Sequence, residues 1–411
     1  MNKKTENKAV SPWQWVPSLY FAQGIPYVVV MSVAVILFKR MGMSNTDIAL
    51  YTSGLNLPWV IKPLWSPLVD LLKTKRWWIV VMQILVGAGL AGIALTIQGP
   101  LAFRYCLAFM WLLAFSSATH DIAADGFYML GLNEKKQAYF VGIRNTFYRF
   151  AVIFGQGILV MFAGWLEQRY AREMPETAAI PQAWSLTFYL LTILFALLFV
   201  YHYLFLPHPR RDTCTLPPQQ ASAGRVFKEF LGTFTSFFQK KHIVSALIFI
   251  LLYRFAEAQL VKITSPFLLD TPATGGLALS TAEVGFIYGT IGVIALTIGG
   301  IVGGIAMARR GLKSCLWTMT IAMNLPNIVY LYLSFARPES IGIISGCVAI
   351  EQFGYGFGFT SLTYFMMLFS NGKHQTAHYA ICTGFMALGL MLPGMISGWI
   401  EESIGYRAFF V

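Results

Sequence analysis

SSATHDIAADGFYMLGLNEKKQAYFVGIRNTFYRFAVIFGQGILVMF, residues 116–162, is the stretch on which the fold turns. It is apolar on both sides of a short polar break, Asn133-Glu134-Lys135-Lys136, and so reads as the end of one hydrophobic helix and most of the next. Helices this apolar and about 20 residues long match the hydrocarbon core of a bilayer. Yet His120, Asp121, Asp125, Arg144 and Arg149 lie inside them. An ionisable side chain at the centre of a membrane helix costs at least about 2.5–3.5 kcal/mol, so each needs a partner, water or a task.

The same texture extends over the whole chain. Apolar spans begin near Trp13, Asp47, Trp77, Leu101, Ala138, Ala183, Ile243, Ala282, Ser314, Ile341 and Thr376, and Gly405–Val411 reads as a twelfth cut short. Of 411 residues, 56% are hydrophobic and 12% charged, against roughly 25% charged in soluble domains. That excludes a water-soluble fold. The expected class is an all-α membrane protein of two six-helix bundles, about 12 transmembrane helices with the last incomplete. The expected divisions are residues 1–206, a cytoplasmic linker over 207–241, and 242–411. In the linker, Val226, Phe227, Phe230, Leu231, Phe234, Phe237 and Phe238 recur at helical spacing opposite Arg225, Lys228 and Lys240, which predicts an amphipathic helix on the membrane surface.

The net charge of +12 gives an orientation rather than a nucleic-acid partner. One set of loops holds Lys3, Lys4, Lys8, Lys73, Lys75, Arg76, Lys135, Lys136, Arg210, Arg211, Arg225, Lys228, Lys240, Lys241, Arg309, Arg310, Lys313 and Lys373. The other holds only Lys39, Arg40, Arg104, Arg169, Arg172, Arg337 and Arg407. The positive-inside bias therefore puts both termini of the complete bundle in the cytoplasm. The first span lacks a small-residue cleavage site and reads as retained. Five scattered cysteines, Cys106, Cys214, Cys315, Cys347 and Cys382, suggest packing and neither a disulfide framework nor a metal site.

After the second span comes Ser66-Pro67-Leu68-Val69-Asp70, followed by Lys73, Lys75 and Arg76. The equivalent place in the second half reads Gly303-Gly304-Ile305-Ala306, then Arg309, Arg310, Gly311 and Lys313. An acid at a helix end can meet a neighbouring helix N-terminus while cations brace adjoining helices, so Asp70, Lys75, Arg76, Arg309 and Arg310 form a candidate gating loop. Ordinary positive-inside charge is the alternative. The loop resembles, in degenerate form, the signature of the major facilitator superfamily.

Within 116–162 the pattern Ala-Thr-x-Asp-Ile-x-x-Asp-Gly resembles the AmpG-type muropeptide permeases and their relatives, the acetyl-CoA transporters and siderophore permeases. FAQGIPY, KPLWSPLVD, YRFAEAQLVKITSPFLLD, TAEVGFIYGTIG and EQFGYGFGFTSLTYFMML extend the resemblance over nearly the whole chain. It implies a monomeric secondary transporter of the bacterial inner membrane that takes no cofactor. Its cargo would be GlcNAc-anhydroMurNAc and its peptides, imported with protons by alternating access. A siderophore or another amphipathic anion is the alternative cargo. Efflux by antiport is a third reading; superfamily antiporters carry a Gly-Pro motif in span five, where this chain has Gly155-Gln156-Gly157. No nucleophile, base and oxyanion donors stand together in a motif, so an enzyme is not expected.

The intramembrane charges are unequal. Asp121 and Asp125 share a helix face and are proton-coupling candidates, with Asp125 alternatively bracing Lys75 or Arg76. Glu351, Glu257 and His120 complete that set; Glu257 could instead pair with Arg254 three residues away, and His120 could be structural. Arg144 matches the depth of the two aspartates and is expected to pair with them. Arg149 lies deeper, without an obvious acid at its level, and suits a substrate carboxylate or phosphate, with a pair to Asp121 as the alternative. Lys62 sits between Pro58, Pro63 and Pro67 in a helix that must be irregular, where it could neutralise a span-four acid or snorkel inward. Lys62, Arg254 and Lys262, with Tyr20, Gln23, Tyr148, Gln156 and Tyr355, are further substrate-binding candidates, or they serve helix-to-helix hydrogen bonds.

Overall fold

A computed structural model describes residues 10–209, 212, 231–232, 234–371 and 375–411, with the side chains of 67, 68, 70–72, 134, 135, 137–139, 141, 142, 308 and 375–377 left out. Membrane-length helices follow one another along the chain. They are α1 (Pro12–Arg40), α2 (45–72), α3 (Lys75–Thr96), α4 (Ala102–Gly131), α5 (134–170) and α6 (Glu176–Phe205), then α7 (Ile243–Leu269), α8 (281–310), α9 (312–336), α10 (Ile341–Phe369) and α11 (375–404).

Several rods are bent for reasons visible in the sequence. α2 breaks at Gly54–Asn56, before the Pro58 turn, and runs on unbroken past Pro63, so the irregularity expected around Lys62 sits one turn earlier. α8 and α9 part at Gly311, whose φ of 73° is open to glycine without strain. Wide π-helical turns interrupt α1 at Val29–Val33, α5 at Ile153–Ile158 and α8 at Gly285–Gly292. After a last break at Gly405 the chain makes a short helical segment in which Tyr406 packs at a tilt and Phe410 edge-on against Phe267 of α7, and Phe410 stacks on Tyr330 of α9.

α1 packs on α4 and α5, α3 on α4 and α6, and α2 on α4; in the second half α7 packs on α11, and α8 and α9 on α10. The two sets meet along α2/α11, α5/α8 and α1/α7. Call proximal the end bearing the turns at 73–74, 132–133, 311 and 370–371, and distal the end bearing 41–44, 97–101, 171–175, 270–280 and 337–340. At the distal end the two sets touch backbone to backbone. A Cβ on Gly398 of α11 would stand 2.0 Å from the Asn45 carbonyl oxygen of α2, and one on Gly164 of α5 would stand 2.3 Å from the Ala282 nitrogen of α8. Only a residue with no side chain fits either seam.

The amphipathic linker helix is described only from Leu231; Val226, Phe227 and Phe230 lie outside the described residues, as do Arg225 and Lys228. Its end docks on the second set. Phe237 is buried against Phe369, His378 and Phe385, and Lys240 Nζ donates to the carbonyls of Phe369 at 2.7 Å and Asn371 at 2.8 Å.

Candidate functional site

The pattern Asp121-x-x-x-Asp125 puts both carboxylates on one face of α4, but they meet different cations. Asp121 pairs with Lys62 of α2 and accepts a hydrogen bond from the Gln23 amide of α1. Asp125 lies 3.3 Å from Arg144 Nη1 of α5 and accepts from the Tyr20 hydroxyl of α1 at 2.9 Å, while Arg144 donates to the same hydroxyl at 3.0 Å. The guanidinium also covers the rings of Tyr20 and Tyr128. Two ion pairs and the hydrogen bonds of Gln23 and Tyr20 thus tie four helices. Lys62 and Asp121 side chains keep 25% and 20% of their surface exposed, so the pair is only partly buried.

The alternative brace from Asp125 to Lys75 or Arg76 is absent among the described residues: Asp125 pairs with Arg144, and the carboxylate of Asp212 takes the backbone N–H groups of Lys75 and Arg76 at 2.7 and 3.0 Å. The Asp70 side chain lies outside the described residues. Arg309 and Arg310 are exposed, and neither forms an ion pair among the described residues.

His120 turns away from Asp121 into the interior of the first set. It meets the Gln83 amide at 3.2 Å; Gln83 meets His202 at 2.8 Å, and His202 meets Ser18 at 3.0 Å. This buried chain joins α4, α3, α6 and α1, which is a structural use of the histidine.

Toward the middle of the bundle the pairing stops. Arg149 has no ion-pair partner among the described residues, and it stands within electrostatic range of Tyr27 and Tyr148 of the first set and Tyr355 of the second. Tyr27 also packs edge-on against Trp59 at 5.2 Å. From the other side Arg254 of α7 donates to the Tyr355 hydroxyl at 2.5 Å and covers the rings of Tyr355 and Phe359 at 5.1 and 5.0 Å. Arg254 also acts on Tyr27. Two guanidiniums, neither in an ion pair among the described residues, thus lie within electrostatic range of the same two tyrosines, Tyr27 and Tyr355, one from each set of helices.

The Arg254–Glu257 ion pair open from the sequence does not form. α7 breaks at Tyr253–Arg254, so Arg254 sits at the head of a new helix and reaches to Tyr355, leaving both Glu257 oxygens buried without a hydrogen bond. Lys262, one turn further, is also buried with no hydrogen bond or ion pair among the described residues. Glu351 is satisfied: it accepts from Gln352 at 2.9 Å and from the Tyr330 hydroxyl at 3.2 Å. Gln156 lies in the α5/α8 seam, where its carbonyl faces Gly289. Tyr20→Phe removes the hydroxyl that links Asp125 to Arg144; uptake is expected to fall severalfold with the fold intact, at a cost of about 1 kcal/mol in thermal unfolding.

A second constellation escaped the sequence reading. At the distal end Lys39 Nζ meets Asp270 at 2.7 Å and the Asn45 side-chain oxygen at 2.7 Å; Asn45 donates to Glu401 at 2.6 Å and to Tyr406 at 2.8 Å, and Tyr406 donates to Asp270 at 2.6 Å. Glu167 of α5 joins Arg40, Trp184 and, across the other seam, Thr281 of α8. The distal end is latched along both seams. Lys39 and Arg40 read only as loop charges in the sequence, since nothing in it says which distant acid they meet.

Relatives agree with this architecture. The chain is 26% identical over 404 residues to the transporter AmpG 4 of Rickettsia conorii, covering 96% of this chain and 91% of that one. It is 24% identical over 400 residues to the anhydromuropeptide permease of Escherichia coli K12, covering 96% and 75%. Among solved structures it superposes on a POT family transporter in complex with 5-aminolevulinic acid with a TM-score of 0.71 at 11% identity, covering 96% and 91%. It matches the nucleoside transporter NupG with a TM-score of 0.69 at 15% identity, covering 97% and 94%. The sequence profile of the Major Facilitator Superfamily matches residues 18–392. With long apolar helices, charges gathered at its centre and a family match over most of its length, this chain belongs to the Major Facilitator Superfamily and is a multi-pass membrane transporter.

Proposed function

We propose that the protein imports anhydro-muropeptides, GlcNAc-anhydroMurNAc and its peptides, across a bacterial inner membrane together with protons. The observation that carries this reading is the central pair of guanidiniums, Arg149 and Arg254, neither in an ion pair among the described residues, set among Tyr27, Trp59, Tyr148 and Tyr355. Guanidinium forks suit the carboxylates of a lactyl-peptide stem, and aromatic faces suit sugar rings. The name of the Escherichia coli relative points to the same cargo.

The transport cycle proposed is a rocking of two six-helix bundles, residues 1–206 and 242–411, joined by a cytoplasmic linker, with both termini of the complete protein inside and one chain as the working unit. The distal end then faces the periplasm, and the latched seams close the carrier on that side. Asp121, Asp125, Glu351 and Glu257 are the proposed proton-coupling groups. Lys62, Arg144, Lys262, Tyr20, Gln23 and Gln156 support the cargo site, and Asp70, Lys75, Arg76, Arg309 and Arg310 brace the inner side when it closes.

The test is uptake of radiolabelled GlcNAc-anhydroMurNAc-tripeptide into proteoliposomes. Saturable entry that accelerates when the face of entry is acid is expected. Entry indifferent to a proton gradient removes the coupling. Entry of an iron-loaded siderophore in place of the muropeptide reassigns the cargo.

A further inference from the structure

The break of α7 at Tyr253–Arg254 turns Arg254 toward Tyr355 and leaves a buried acid and a nearby cation unjoined. Glu257 is 1% exposed and neither of its oxygens has a hydrogen-bond donor; Arg254 is 7% exposed, and its Nε is likewise unpartnered. They stand three residues apart, the spacing at which side chains on one helix meet. An ionised carboxylate buried with no donor costs several kcal/mol, so the neutral acid is the form that fits here. The groups within electrostatic range of Glu257 are Arg254 on its own helix, Tyr288 on α8, Tyr330 on α9, and Glu351 and Tyr355 on α10. Arg254 is the cation that acts on Glu257, while Lys262, five residues along α7, is buried without an ion pair among the described residues.

We propose that Arg254 is a shared counter-ion, held by an anionic group of the cargo in the loaded carrier and by ionised Glu257 in the empty one. The proposal rests on the proton-coupled carrier read above, and it assigns the exchange to particular atoms. While cargo occupies Arg254, Glu257 keeps its proton and the interior gains no net charge. When the cargo anion leaves, the Glu257 O–H bond breaks, the proton passes to water in the open cavity, and the guanidinium turns from Tyr355 to the new carboxylate. One proton is released for each anionic group that leaves Arg254. Binding of cargo on the other face reverses each step.

Two measurements on the full chain separate the outcomes. In proteoliposomes, Glu257→Gln is expected to depress gradient-driven accumulation of labelled GlcNAc-anhydroMurNAc-tripeptide about tenfold more than it depresses exchange of labelled for unlabelled cargo. Equal losses, or accumulation left intact, overturn the shared counter-ion. The second measurement needs no cargo. Infrared titration of the protein in lipid should show a protonated-carboxyl band that Glu257→Gln removes and Glu257→Asp moves. In Arg254→Gln the band should persist at pH values where the unaltered protein has lost it. A band indifferent to Arg254→Gln overturns the proposal even if transport of muropeptide is confirmed. A band that behaves as expected in a protein that moves no muropeptide upholds the pair and discards the cargo.

Discussion

Gly398→Val is expected to spring the distal seam open and abolish transport. The added branch would begin 2.0 Å from a main-chain oxygen, and main chain cannot rotate aside as a side-chain tip can. α2 and α11 must separate, and with them goes the ring of contacts among Lys39, Asn45, Asp270, Glu401 and Tyr406. Overpacking costs about 1–3 kcal/mol, and each lost hydrogen bond adds about 1 kcal/mol. A bias of about 3 kcal/mol moves a two-state balance by roughly a hundredfold. Distances between spin labels at Ser44 and Ser403 report the change, and a distribution identical to that of the parent protein would refute it. Gly164→Val should do the same at the α5/α8 seam.

The second large effect is expected at Lys62 and Asp121. Asp121→Ala strands an ammonium group among α1, α2 and α4, and Lys62→Ala strands the carboxylate. Breaking a buried ion pair from one side costs about 3–5 kcal/mol, and the partial exposure of both side chains places these variants at the low end. The double variant Lys62→Met/Asp121→Leu removes both charges and should recover most of the thermal stability of the detergent-solubilised protein. It should not recover uptake. Stability that fails to return would mean the pair does more than neutralise itself; uptake that returns would remove Asp121 from the transport cycle.

How far the sequence could be read follows from the range of the interactions concerned. Hydropathy is a local property, so span positions and the change at Gly405 were visible along the chain. The intramembrane charges were visible for the same reason, because any such residue stands out against its apolar neighbours. Partners were not. Depth matching linked Arg144 to the aspartates, and Lys62 was open to a span-four acid, but that it takes Asp121 and leaves Asp125 to Arg144 depends on how α2 leans on α4. The Arg254–Glu257 pairing followed from helical spacing and was defeated by a break in that helix at Tyr253. Nothing near Lys39 in sequence indicates Asp270, and nothing near Asn45 indicates Glu401, so the distal latch was unreadable until α2 and α11 were laid side by side.

The wide turns in α1, α5 and α8 carry one further consequence, for insertion and deletion. Each holds an extra residue relative to a regular α-helix, and one residue amounts to about 100° of rotation. Excising a residue from Ile153–Ile158 would restore an ordinary helix and swing everything beyond it on α5 round by that angle. Gly164 would leave the seam and Glu167 would leave Thr281, while Arg144 and Arg149, on the other side of the cut, kept their places. The same helix is thus phased twice, once for the charged centre and once for the glycine seam. A homologue one residue shorter in this segment would have to have rebuilt one of those two surfaces.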